Sequence, residues 1–96
     1  MSRLLDEEEI SRQLESLDGW SRKAAEITTT YELADFAGAL DFVNRVGQAA
    51  EDMDHHPDID IRWNKVTLVL STHSEGGLTQ LDIELAHRIS EAAGPR

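Results

Sequence analysis

Three histidines and a handful of acids carry most of the proton chemistry open to this chain. His55 and His56 stand side by side, pinned by Pro57 and preceded by Glu51, Asp52 and Asp54, while His73 follows Ser71 and Thr72. An imidazole, with an unperturbed pKa near ~6.5, gives or takes a proton at neutral pH. A lone histidine at a helix exit would simply cap terminal carbonyls. Two adjacent histidines locked by a proline beside several carboxylates point instead to general acid–base work. The fourth histidine, His87, lies among Glu84, Arg88 and Glu91 and is given no function. The chain has no cysteine, which excludes thiolate chemistry and disulfides. Metal-dependent hydrolysis is the rival reading, since zinc hydrolases use three protein ligands and a water. Adjacent histidines point in different directions, however, and no helical i,i+4 histidine pair is present. No metal is therefore expected.

These residues need elements to position them. From Asp6 to Leu17, Ile10, Leu14 and Leu17 recur at helical spacing behind an acidic first turn, and Asp18-Gly19 ends the segment. Residues 20–23 and 27–33 read as strands, the second rich in β-branched residues. Asp35 caps a longer helix from Phe36 to about Asp52 with an apolar stripe of Phe36, Leu40, Val43, Val46, Ala50 and Met53. That helix must stop before Pro57, leaving Asp54, His55 and His56 at the loop. Residues 58–63 alternate polar and apolar strictly, and Asn64-Lys65 turns the chain into a hairpin partner over 66–72. In that last strand Val66, Leu68, Leu70 and Thr72 share the more apolar face. Thr67, Val69, Ser71 and His73 share the other, so His73 projects away from the main core or at the rim. Gly76-Gly77 marks a loop, and Thr79 with Asp82 three residues on forms a capping box for a last helix, with Leu81, Leu85 and Ile89 on its core face.

The order helix, two strands, helix, two strands, helix predicts an α+β fold, a four-stranded antiparallel sheet with three helices packed on one face. At 96 residues the chain is read as one domain over residues 1–96. With 19 acidic against 9 basic side chains, a net charge of -10, it lacks the clustered Lys and Arg that direct nucleic-acid binding needs. No stretch approaches the ~20 apolar residues of a membrane span, and the N-terminus turns acidic at once, so a cytoplasmic protein is expected. A strand end and a helix C-terminus can share one rim of such a sheet, which would bring His55, His56 and His73 together.

With the elements in place, the motifs become recognisable. Ala50-Glu51-Asp52-Met53-Asp54-His55-His56-Pro57, then Trp63-Asn64-Lys65-Val66, Leu70-Ser71-Thr72-His73, and Gly77-Leu78-Thr79 with Asp82 together resemble the pterin-4a-carbinolamine dehydratase family. The match extends upstream through Gly19-Trp20 and the Phe36, Phe42, Val43 helix face, nearly the whole chain. His-His-Pro alone would be a weak signal; joined to Ser-Thr-His in this order of elements it is strong. The resemblance implies a cofactor-free enzyme that removes water from 4a-hydroxytetrahydropterin to give quinonoid dihydropterin, in tetrahydropterin recycling. It implies His55 and His73 as the acid–base pair and His56 as a substrate-positioning or supporting residue. Asp54, Ser71, Thr72 and Ser74 would line the pterin pocket and Trp20 would form part of its wall. Glu51 and Asp82 would orient imidazoles, with Pro57 in support. Ser74 stands where animal members carry an acid, Trp63 replaces the commoner Tyr, and Ile59 and Asp60 replace two aromatics, as in the bacterial branch. Animal members also bind a homeodomain transcription factor, a role nothing in this sequence carries over. Family members form a homodimer or homotetramer, so self-association is expected. A non-catalytic pterin-binding or protein-dimerisation module is the alternative.

Overall fold

A computed structural model describes residues 3–95. Its elements run α1 (Glu7–Leu14), β1 (Ser21–Lys23), β2 (Glu26–Glu32), α2 (Phe36–Met53), β3 (Asp58–Arg62), β4 (Lys65–Leu70), a single 3-10 turn (His73–Glu75) and α3 (Gln80–Ala93). The four strands form one antiparallel sheet in the order β1-β2-β4-β3. This is the α+β architecture that the sequence predicts.

Period-two alternation places the core. In β2 and β4 the buried residues are Ile27, Thr29 and Tyr31, and Val66, Leu68 and Leu70, all on one face. Against them lie Ala39, Phe42, Val46 and Ala50 of α2 and Ile83, Leu85, Ala86 and Ile89 of α3. Phe42 meets Tyr31 edge-on with ring centroids 5.0 Å apart. Among the described residues no helix is long and apolar enough to cross a membrane.

Several boundaries move, each for a local reason. Helix α1 ends at Leu14, with Asp6 as its N-cap in a capping box with Glu9; Leu17 is buried all the same from the turn beyond. On α2 the polar cap is Asp35, whose carboxylate accepts from Gly38 N at 2.7 Å. The inward face of that helix runs through Ala39 and Phe42, leaving Phe36 and Leu40 exposed. The hairpin turn falls on Trp63-Asn64, because Lys65 pairs with both Arg62 and Glu32. Trp63 sits there at φ 56°, largely exposed, and Asn64 is pinned to Leu33 by a side-chain and a backbone bond of 2.8 Å each. On α3 Ile83 takes the buried place expected of Leu81, which is half-buried.

Candidate active site

The turn after α2 sends the two histidines in opposite directions. Asp54 closes the helix in the left-handed region (φ 51°, ψ 44°). His55 N–H reaches back to Ala50 O at 3.0 Å, and Asp54 N–H to Glu51 O at 3.1 Å. This paired closure normally uses glycine; aspartate is among the few side chains that tolerate it. Pro57 then disfavours helical backbone at His56, so the chain leaves extended into β3. His55 is buried and His56 exposed.

His55 joins a buried polar network built around Asp82, which has no exposed surface. Its Nε2 lies 2.6 Å from Asp82 Oδ1. The other carboxylate oxygen, Oδ2, accepts from Thr72 Oγ1 at 2.7 Å and from Thr79 N–H at 2.9 Å. Thr72 Oγ1 and Thr79 Oγ1 are 2.8 Å apart. The carboxylate only accepts, so the network assigns the proton to His55 Nε2 and leaves Nδ1 as the ring's second nitrogen. Among the described residues Nδ1 has no partner, yet no buried side-chain nitrogen or oxygen there lacks one. Nδ1 therefore meets solvent, through the tenth of the side chain that is exposed.

The next residues in the chain extend this rim. His55 and Thr72 converge on one carboxylate, and consecutive Cα atoms are ~3.8 Å apart, so the backbones of His56 and His73 each lie one residue from the network. His56 Nε2 lies 2.6 Å from Glu51 Oε2, both groups exposed. His73 is exposed, as expected, but not as a strand residue: pairing stops at Leu70, Thr72 N–H turns to Gly77 O at 2.9 Å, and His73 opens the 3-10 turn. Asp54 and Ser74 are exposed near these two histidines in the chain, and Pro57 is half-buried.

Not every predicted site residue comes to this rim. Ser71 Oγ donates to Ala25 O at 2.9 Å, tying the end of β4 to the β1–β2 turn. Trp20 is buried with its indole N–H on Ser90 Oγ at 3.2 Å. Ser90 lies eight residues along α3 from Asp82, about 12 Å by helical rise. The structure therefore does not bring Trp20 to the histidines; it closes the opposite end of the core. Thr79, by contrast, belongs to the network, although sequence reasoning gave it only a helix cap. Its spacing from Asp82 was visible; its contact with Thr72 was not. Among the described residues no three His, Cys, Asp or Glu side chains converge as a metal site would require.

This arrangement offers a buried imidazole oriented by a carboxylate, with its second nitrogen turned to solvent, and exposed imidazoles at the residues that follow His55 and Thr72 in the chain. The pattern of the family Pterin 4 alpha carbinolamine dehydratase matches residues 3–92. A relative from Nocardia farcinica, named "Putative pterin-4-alpha-carbinolamine dehydratase", is 51% identical over 94% of this chain and 95% of its own. One of the same name from Roseiflexus castenholzii is 52% identical over 95% of this chain and 98% of its own. The crystal structure of a transcriptional coactivator/pterin dehydratase from Brucella melitensis superposes with a TM-score of 0.92 at 37% identity, covering 96% of this chain and all of that one. A pterin dehydratase-like RuBisCO assembly factor of the alpha-carboxysome superposes at a TM-score of 0.65 over 80% of this chain and 89% of that one, with 18% identity, a likeness of fold alone. Sequence match, identity and architecture agree that the chain belongs to the pterin-4-alpha-carbinolamine dehydratase family.

Proposed function

We propose that this chain dehydrates a 4a-hydroxytetrahydropterin to the quinonoid dihydropterin, with His55 and His73 carrying the proton transfers and His56 positioning the substrate. The observation that carries the reading is the His55 ring, fixed on Asp82 through Nε2 and open at Nδ1. The reaction breaks the C4a–O bond and removes the N5 proton, and the C4a=N5 double bond forms as water departs. Hydroxide leaves poorly, so an acid must protonate it while a base takes the N5 proton; each such group contributes about 10²–10⁴-fold. A neutral His55 with its proton on the Asp82 side presents Nδ1 as an acceptor, the posture of the base. His73, exposed on the 3-10 turn, supplies the acid, and proton exchange with solvent resets both. His56, paired with Glu51, positions the substrate beside Asp54 and Ser74. Thr72 contributes through Asp82, since its hydroxyl is already engaged there.

Within this reading the enzyme uses no cofactor, works in the cytoplasm and assembles as a homodimer or homotetramer, a state that light scattering measures. The activity test mixes the protein with freshly generated carbinolamine and follows the ultraviolet change of dehydration. Acceleration over buffer that disappears in a His55→Ala/His73→Ala double variant is the expected result. No acceleration, or undiminished acceleration in that variant, overturns the assignment. Saturable pterin binding without turnover would identify a binding module instead.

A further inference from the structure

We propose that Thr79 is a positioning residue for His55, acting through Thr72 and Asp82 to fix which ring nitrogen faces the substrate. The inference rests on the dehydratase reading for its catalytic meaning, but its geometry is independent of it.

The direction of every proton in the network follows from counting donors. Leu81 N–H donates to Thr79 Oγ1 at 3.3 Å, closing the α3 cap. Thr72 Oγ1 donates its single proton to Asp82 Oδ2. In the 2.8 Å contact between the two hydroxyls, Thr79 is therefore the donor and Thr72 the acceptor. The chain reads one way only, from Leu81 N–H through Thr79 and Thr72 to the carboxylate. A second donor, Thr79 N–H, takes the same oxygen at 2.9 Å. With Oδ2 fully engaged, Oδ1 is left to accept from His55 Nε2–H. Thr79, Asp82, Thr72 and His55 are 0, 0, 5 and 9% exposed, so water does not compete for these bonds.

Thr79 itself is held from outside the network. Thr72 N–H bonds Gly77 O on one side, and Leu5 N–H bonds Leu78 O at 2.9 Å on the other. The segment just before α3 is thus braced by β4's continuation and by the residues leading into α1, and the Thr79 hydroxyl arrives preset. Without that hydroxyl Thr72 gains a free lone pair and can turn from Asp82, which leaves the Thr79 N–H as the one remaining bond on Oδ2 and loosens the carboxylate against which the His55 ring is set.

The first test needs no variant. Nitrogen-15 NMR of the histidine rings in the wild-type protein should show His55 with its proton on Nε2; a His55 carrying its proton on Nδ1 alone overturns the proposal. Thr79→Val then removes the hydroxyl while keeping the shape. It is expected to mix the His55 tautomers and lower kcat about tenfold, the lower end of what removing a group that orients a metal-bound histidine costs. KM should stay unchanged, because no contact to substrate is lost. Thr79→Ser restores the hydroxyl and should restore both signals. A folded Thr79→Val protein with the wild-type His55 pattern overturns the proposal whatever its activity. Tautomer mixing in Thr79→Val together with a wild type that shows no dehydration would instead leave the positioning intact and refute the dehydratase reading.

Discussion

Replacing Asp82 by asparagine is the sharpest test of how the site is wired. The amide has the shape of the carboxylate but only one acceptor oxygen. Asp82 accepts from His55 Nε2, Thr72 Oγ1 and Thr79 N–H at 2.6, 2.7 and 2.9 Å. The Thr79 backbone N–H can only donate, so the asparagine oxygen must face it, and leaving that group unpaired would cost about 1–3 kcal/mol. The amide NH₂ then points at His55 Nε2, which must shed its proton to accept. Asp82→Asn thus moves the His55 proton to Nδ1 and turns the outward nitrogen from acceptor to donor. A hydrogen bond to a charged group contributes about 1.5–3 kcal/mol against about 0.5–1.5 for a neutral one, a loss of about 3–4.5 kcal/mol over three bonds. Relief of carboxylate desolvation offsets part of it, leaving a net cost of about 1–2 kcal/mol. For a domain of this size about 1 kcal/mol lowers Tm by roughly 5 °C, so calorimetry should show a fall of about 5–10 °C. Activity should fall about 10²–10⁴-fold, the contribution of a proton-transfer group. Asp82→Ala, by contrast, strands three donors at a cost of about 3–9 kcal/mol, comparable to the whole stability of a small domain. A folded Asp82→Asn protein that keeps the proton on His55 Nε2 and turns over at the wild-type rate would refute this account.

Three further perturbations probe the scaffold. Phe42, with no exposed surface and edge-on to Tyr31, should cost about 3–5 kcal/mol when truncated to Ala, read as a lower urea midpoint at unchanged slope. Asp54 holds φ 51°, so Asp54→Gly should keep the stability of the parent while Asp54→Val loses about 1–3 kcal/mol in the same denaturation assay. The Arg3 guanidinium, bonded to Glu9 at 2.7 Å, together with the Asp6 backbone N–H, holds the Glu9 carboxyl down to about 2 from 4.5. A depressed acid stabilises above its unfolded value, so the benefit is full above pH 4.5 and disappears as pH falls towards about 2. Both groups are solvated, so the effect is small: Arg3→Ala should lower Tm slightly at pH 6 in low salt and match wild type at pH 2.

What the sequence makes legible is whatever repeats locally. Val66, Leu68 and Leu70 announce an inward face because strand side chains alternate, and Thr79 with Asp82 announces a helix start because a capping box has fixed spacing. His73 is exposed, as the alternation expects, but on a 3-10 turn and not on the strand, because Thr72 leaves the ladder for Gly77, a bond made by a loop with no periodic signature. The divergence of His55 from His56 depends on one left-handed aspartate, which no pattern of apolar residues encodes. Trp20 belongs to the same family resemblance as the histidines yet closes the far end of α3, since its place follows from where an edge strand meets that helix. The same limit hides the site in plain view. Asp82 satisfies a complete local explanation as the third residue of a cap, and nothing in the surrounding residues asks for more. Its bond to His55 spans 27 positions in sequence, and only the packing of α2 against α3 over the sheet brings the two together. A cap residue on a solvated helix would keep one carboxylate oxygen on the N-cap N–H and turn the other to water. This one is fully buried with a histidine on its second oxygen, so the start of α3 and the orientation of His55 are one hydrogen-bonded unit. Stability and proton transfer should therefore fail together when Asp82 is changed, whereas a cap serving the helix alone would cost stability and leave the chemistry untouched.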